Sequence, residues 1–208
     1  MDVKFEKNYC PDLLSWKELS DLVNQTQLMT QQRIKVKFPK EYSKSLTWPK
    51  VRWCLDDTSV PAVILKDIIE KYLCYFREMS RSTKKINDFA KSIEDKYNMP
   101  TDAHIYTCKN LDIEHPFGIH YDDSHNIIVQ CEGETNFKVW DIIKDKDQPH
   151  SNMSITDTPL LDVDMKPGDA IWIPKYYPHL ATSNTVRMSV SFPIVCNEAR
   201  EPREWIEL

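Results

Sequence analysis

The chain has 208 residues, of which 41% are hydrophobic, enough to bury one good-sized core and hardly two independent enzyme domains. A formal net charge of -5 at pH 7 and a sequence pI near 5.7 exclude an overall positive field, so nucleic acid is not favoured as a partner. The 6 cysteines form no CxxC pair, the opening MDVKFEKNYC lacks the apolar run of a secretory signal, and no apolar stretch nears the roughly 18 residues of a membrane span. The expectation is a soluble, intracellular, cytoplasmic protein with reduced thiols.

In chain order, the first signal is a capping box: Ser15 with Glu18 three residues on, flanked by Leu14 and Leu19 as a hydrophobic staple, predicts a helix from Ser15 to about Asn24. Residues 33–38 alternate basic and apolar, which predicts an edge strand with Ile34, Val36 and Phe38 inward and its lysines in water. Val63, Ile64, Ile68 and Ile69 stand at helical spacing over 62–71, and the apolar run Tyr72 to Phe76 fits either a continued helix or a short strand. Ile86, Phe89, Ala90, Ile93 and Tyr97 mark an amphipathic helix that stops before Pro100.

From residue 103 onward the pattern becomes β. Segments 103–109, 117–122, 126–131, 134–141, 160–164, 169–173, 178–182 and 186–195 read as strands, and 144–158 as the longest loop. All 3 glycines, Gly118, Gly133 and Gly168, fall in this half. The fold class expected is mainly β with an N-terminal helical layer, the core being a jelly-roll or double-stranded β-helix barrel. As a single domain over 1–208, it divides into a mainly helical layer with an edge strand (1–100), the barrel (101–196) and a C-terminal tail (197–208).

Residues two apart in a strand share a face, so His120 and Asp122 in Gly118-Ile-His-Tyr-Asp122 are expected to project together into the barrel. A third ligand from a distant strand is expected at His179, delivered by the Pro-Gly-Asp turn at 167–169, the apolar strand after it, and Pro174. Two imidazoles and one carboxylate on one face of a metal leave positions open for dioxygen and a co-substrate, the arrangement of non-heme Fe(II) oxygenases. Zinc fits the same donors, and would imply hydrolysis or water activation instead.

The stretch His120-Tyr-Asp-Asp-Ser-His-Asn-Ile-Ile-Val-Gln-Cys-Glu-Gly133, with Gly168-Asp-Ala-Ile-Trp-Ile-Pro174 and His179, resembles the cupin-type, Jumonji-C-like 2-oxoglutarate- and Fe(II)-dependent oxygenases. The likeness is greatest to the branch with asparaginyl hydroxylases and bacterial ribosomal-protein hydroxylases. It is specific over 103–195 and looser over the helical half. The resemblance implies that His120, Asp122 and His179 bind Fe(II), and that Asn126 and Gln130 line the pocket near 2-oxoglutarate. The implied reaction consumes O2, converts 2-oxoglutarate to succinate and CO2, and hydroxylates an unactivated C–H bond.

A buried co-substrate carboxylate needs a cation. The resembled branch often carries Lys or Arg two residues after the glycine matching Gly133, where this chain has Thr135, while Lys138 lies on the opposite strand face. Arg187 is the better candidate: in Val186-Arg-Met-Ser-Val-Ser-Phe192 it shares a face with Ser189 and Ser191, a pattern similar to the last barrel strand of other 2-oxoglutarate oxygenases. Thr135 and Ser189 are expected to add hydroxyl donors; Tyr106 is a further candidate donor, although its pattern favours a plain core tyrosine.

Bland readings stand beside these. His125, three residues from Asp122, turns to the other strand face; His104, His115 and His150 read as ordinary; Asp123 reads as a solvated loop carboxylate; Trp140 and Trp172 read as core. The basic run Arg33, Lys35, Lys37, Lys40, Lys44, Lys50 and Arg52 is a solvated face or a surface for an acidic partner. The leading function is 2-oxoglutarate-dependent hydroxylation of a protein or peptide side chain or of a small molecule, and the family likeness favours the former. The alternatives are a cupin metalloenzyme that uses another metal for isomerisation or hydrolysis, and a non-catalytic cupin binding module. Leu208 follows soon after the last strand, which leaves no room for the C-terminal dimerisation domain of some relatives, so a monomer or a homodimer through the N-terminal helices is expected.

Overall fold

The computed structural model describes residues 1–25, 27–37, 59–111, 117–142, 153–195 and 203–206. Its elements in order are β1 (Lys4–Glu6), α1 (Trp16–Val23), β2 (Ile34–Lys37), α2 (Ala62–Lys71), β3 (Leu73–Phe76), α3 (Lys84–Tyr97), β4 (His104–Cys108), β5 (His125–Glu132), β6 (Thr135–Val139), β7 (Leu161–Met165), β8 (Ala170–Ile173), β9 (His179–Thr182) and β10 (Arg187–Ile194).

The helices start and stop where their end chemistry dictates. At α1 the Ser15 hydroxyl accepts from the Glu18 N–H at 3.2 Å while the Glu18 carboxylate accepts from the Ser15 N–H at 2.8 Å, so the capping box is complete. α3 begins at Thr83, whose hydroxyl accepts from the Ile86 N–H, and ends at Asn98 in the left-handed region just before Pro100. The segment Leu73–Phe76, open to two readings from sequence, is a strand that pairs with both β2 and β4.

A seven-stranded antiparallel sheet runs in the order β1-β8-β5-β10-β4-β3-β2, and a three-stranded sheet in the order β7-β6-β9. Side-chain alternation sorts the large sheet into two faces. Ile127 and Val129 of β5, Ala170 and Trp172 of β8, Met188, Val190 and Phe192 of β10, and Cys74 and Phe76 of β3 join the core made with α1, α2 and α3. Phe76 and Phe192 are fully buried there, each contributing on the order of 2 kcal/mol of transfer free energy. The opposite residues, Ile128, Ile171 and Ile173, pack against Phe137, Val139 and Met165 of the small sheet, closing the jelly roll.

β2 lies at the edge of the large sheet, with Ile34 and Val36 packed on the helical core; Phe38 and the basic residues Lys40, Lys44, Lys50 and Arg52 lie outside the described residues. β1 was not anticipated from sequence, since three residues carry too little periodicity. It pairs antiparallel with β8, and just beyond it the Asn8 N–H donates to the Asp169 carboxylate of the Pro-Gly-Asp turn, which also accepts from the Lys166 N–H, both at 2.9 Å. The expected strand at 117–122 is corrected: only His120 makes a bridge there, with His179. Gly118 at φ +63° turns the chain in, and the Asp122 carbonyl accepts from the Tyr176 N–H at 2.8 Å, so the backbone leaves the sheet after one rung. Of the expected loop, residues 143–152 lie outside the described residues, and 153–158 hold neither helix nor strand.

Gly133 forms the turn between β5 and β6, where φ is +67° and a Cβ would sit 2.0 Å from the Val186 carbonyl oxygen, so no other residue fits. At the far end of the sheet Arg203, 8% exposed, closes a clamp. It donates to both oxygens of Glu94 on α3 at 3.0 and 2.9 Å, and to the carbonyls of Ser80 and Thr101. Glu94→Ala, by leaving a buried guanidinium without its carboxylate, is expected to lower stability by about 3–5 kcal/mol. The apolar double variant Glu94→Leu/Arg203→Met recovers much of that. Urea midpoints of the two variants against wild type test both statements.

Candidate metal centre

His120 and His179 face each other across the single rung that joins the 118–122 segment to β9. The His120 N–H donates to the His179 carbonyl at 3.1 Å and the His179 N–H to the His120 carbonyl at 2.7 Å, which sets the ring centroids 4.3 Å apart. Each Nδ1 lies on a carbonyl two residues back, Gly118 for His120 at 3.0 Å and Tyr177 for His179 at 3.1 Å. A carbonyl can only accept, so each Nδ1 carries the proton and each Nε2 keeps a lone pair. This is the tautomer that a metal ligand needs.

Asp122 completes the group. One ligand atom from each of His120, Asp122 and His179 lies within 4.8 Å of the other two, and an Asp122 oxygen is 3.8 Å from His179 Nε2. Although strand alternation does not operate through Tyr121, the bend still returns Asp122 to the side of His120. The Asn126 Nδ2 donates to Asp122 Oδ2 at 2.7 Å, and the Ser191 hydroxyl donates to Asn126 Oδ1 at 3.2 Å. The donor set, two neutral imidazoles and one carboxylate, fits a divalent iron with the remaining positions open.

The three open onto a cavity of about 250 Å³, also lined by Tyr75, Tyr106, Phe117, Thr135, Arg187, Ser189 and Ser191. That is room for about eight waters at roughly 30 Å³ each, the scale of a small organic diacid. Arg187 is 8% exposed, and among the described residues no carboxylate lies within ion-pair distance of it; its one hydrogen bond goes to the Ser183 carbonyl at 3.4 Å. Burial pulls its pKa below the ordinary arginine value. A guanidinium so placed leaves most of its donors for an anion. Thr135 is buried on the same wall, while Lys138 points away and pairs with Asp162 at 3.4 Å.

Tyr106 belongs to the cavity wall rather than to the core, stacked on Tyr75 with centroids 5.1 Å apart and met edge-on by Phe117. Asn126 and Gln130 are not among the lining residues. Asn126 is spent on Asp122 and Ser191, and Gln130, fully buried, donates to the carbonyls of Glu132 and Gly133 in the β5–β6 turn. His125 accepts from the Lys175 N–H, and His104 lies 3.3 Å from Asp102, both away from the metal ligands. His115 and His150 lie outside the described residues. Sequence reasoning missed Leu73, Tyr75 and Phe117, whose apolar character is indistinguishable from that of core residues until the sheet is assembled.

The chain belongs to the JmjC domain family, whose model matches residues 77–201, more than half of its length. By fold it is similar to YcfD of Escherichia coli, with a TM-score of 0.63 and 15% identity over 94% of this chain and 50% of that one. YcfD, described as a ribosomal oxygenase, is also known in complex with cobalt and 2-oxoglutarate (TM-score 0.61, 15% identity, 95% of this chain and 49% of that one). A further complex holds cobalt and succinic acid (TM-score 0.60, 16% identity, 94% and 48%). At these identities the likeness establishes the jelly-roll fold, and the chain spans about half the length of YcfD. Among curated proteins the chain has no match. No helix among the described residues is long and apolar enough to cross a membrane.

Burial, and after it the neighbouring His120, pushes the His179 pKa from 6.5 down to about 4. Between those values the unfolded chain takes up a proton that the folded, metal-free protein refuses, so stability falls as pH falls from about 6.5 to about 4. His179→Gln should flatten that part of the curve. Chemical denaturation of the metal-free proteins at intervals from pH 7 to pH 4 measures the difference.

Proposed function

We propose that this chain is a 2-oxoglutarate- and Fe(II)-dependent oxygenase that hydroxylates a side chain of a protein or peptide, with succinate and CO2 as co-products. One observation carries the reading. A single cavity has the ligand set His120, Asp122 and His179 at one part of its wall, and at another a buried arginine, Arg187, with no carboxylate partner among the described residues. The protein substrate rests on the likeness to YcfD, described as a ribosomal oxygenase.

In this reading His120, Asp122 and His179 hold the iron by one face. Iron, when bound, supplies the redox chemistry that couples dioxygen to oxidative decarboxylation of 2-oxoglutarate. Arg187 takes the distal carboxylate of the co-substrate through paired hydrogen bonds, in the role that relatives give to a base at the position of Thr135. Thr135, Ser189 and Tyr106 add hydroxyls to the same end of the cavity. The apolar wall of Tyr75, Phe117 and Ile128 excludes water from the reacting carbon and strengthens each of these polar contacts.

Anaerobic addition of Fe(II) and then 2-oxoglutarate should produce a visible charge-transfer absorption band, and admission of air should yield succinate. His179→Ala abolishes both. Arg187→Ala keeps the metal and raises the half-saturating 2-oxoglutarate concentration by at least about a hundredfold, the loss of two charge-assisted hydrogen bonds. Unaltered co-substrate binding in Arg187→Ala would sink the anchor assignment. Retention of zinc with no succinate formed would replace the oxygenase by a cupin metalloenzyme of another kind.

A further inference from the structure

The three metal ligands are not held alike. His120 and His179 are fixed twice over, by their reciprocal backbone bonds and by a carbonyl on each Nδ1. Asp122 sits outside any strand, with a side chain 43% exposed. Among the described residues the only hydrogen bond to its carboxylate comes from Asn126, at 2.7 Å. Asn126 is itself 4% exposed on the interior strand β5, and its oxygen is satisfied by the hydroxyl of Ser191 on β10.

The polarity of this chain follows from its last member. An ionised carboxylate only accepts, so the amide must turn Nδ2 to Asp122 and Oδ1 to Ser191, and Ser191 must donate. Its hydroxyl proton is thereby committed to Asn126 although the residue lines the co-substrate cavity. Successive donors aimed one way polarise one another, and they end on a carboxylate that accepts no other hydrogen bond among the described residues.

We propose that Asn126, backed by Ser191, is the positioning residue for Asp122. It occupies one carboxylate oxygen, arrests rotation of the side chain, and so presets the third ligand before metal arrives. The proposal rests on the metal-site reading above. It also gives Asn126 a role different from contact with the co-substrate.

The test is titration of the metal-free protein with Co(II), reading both the dissociation constant and the ligand-field absorption band, with thermal melting of the metal-free variants as the check on folding. Asn126→Ala is expected to weaken Co(II) binding 10- to 100-fold, as loss of an outer partner of a metal ligand does, and to change the band. Ser191→Ala should weaken it by a smaller factor, Ser191→Thr, which keeps the hydroxyl, should bind as wild type, and Asn126→Ala/Ser191→Ala should bind no more weakly than Asn126→Ala. If Asn126→Ala does not fold, the Ser191→Ala and Ser191→Thr pair decides alone, and equal affinities in the two overturn the proposal. Wild-type affinity and an unchanged band in Asn126→Ala, or simple additivity in the double variant, also overturn it. Should wild type bind Co(II) and His120→Ala not, those failures touch this proposal only; if wild type binds no Co(II), the metal-site reading and the proposal fall together.

Discussion

Two backbone hydrogen bonds between His120 and His179 organise the site. Among the described residues they form one rung, with no ladder above or below it on the His120 side, yet they bring together residues that lie far apart in the sequence. On one side the rung inherits the rigidity of β9, whose neighbour β6 is paired again with β7. On the other it frees the chain to bend at once and present Asp122. A regular strand through 117–122 would have spaced His120 and Asp122 by the pleat. The single rung lets the carboxylate approach the imidazoles by a turn instead.

The remaining architecture keeps water and charge where this centre needs them. Seven strands are more than the barrel alone requires, and the extra ones, β2 and β3, widen the wall so that Leu73 and Tyr75 reach the cavity. The helices cover the outer face and leave the inner face to chemistry. Arg187 shows the division most sharply. Its neighbour Met188 is fully buried in the helical core, while Arg187 stands in the cavity with the desolvated charge that an incoming anion would neutralise.

Sequence reasoning succeeded where one residue type has one physical use. Ser15 and Glu18 named a helix start, Pro100 a helix limit, and the spacing of Arg187, Ser189 and Ser191 a shared strand face. It failed where the decisive partner is remote in the chain. β1 exists by pairing with β8, more than 160 residues on in the chain, and nothing within Lys4–Glu6 announces that. Likewise Asn126 carries a side chain suited to many partners, and only the fold shows that it faces Asp122 and Ser191. The apolar wall residues Leu73 and Tyr75 were hidden for a further reason: one apolar alternation serves equally for core and for cavity until the neighbouring strands are known.

The central position of β10 has a consequence for how errors propagate. The strand is paired along both edges, with β4 and with β5, and its register against β5 shifts at Met188/Ser189. A slip of one residue would turn Arg187, Ser189 and Ser191 into the helix-packed face and Met188, Val190 and Phe192 into the cavity. The mistake that disarms the cavity would at the same stroke place a charge and two hydroxyls in the largest apolar cluster. Folding thus proofreads the site: a chain stable enough to persist has already put its arginine on the side where it is needed.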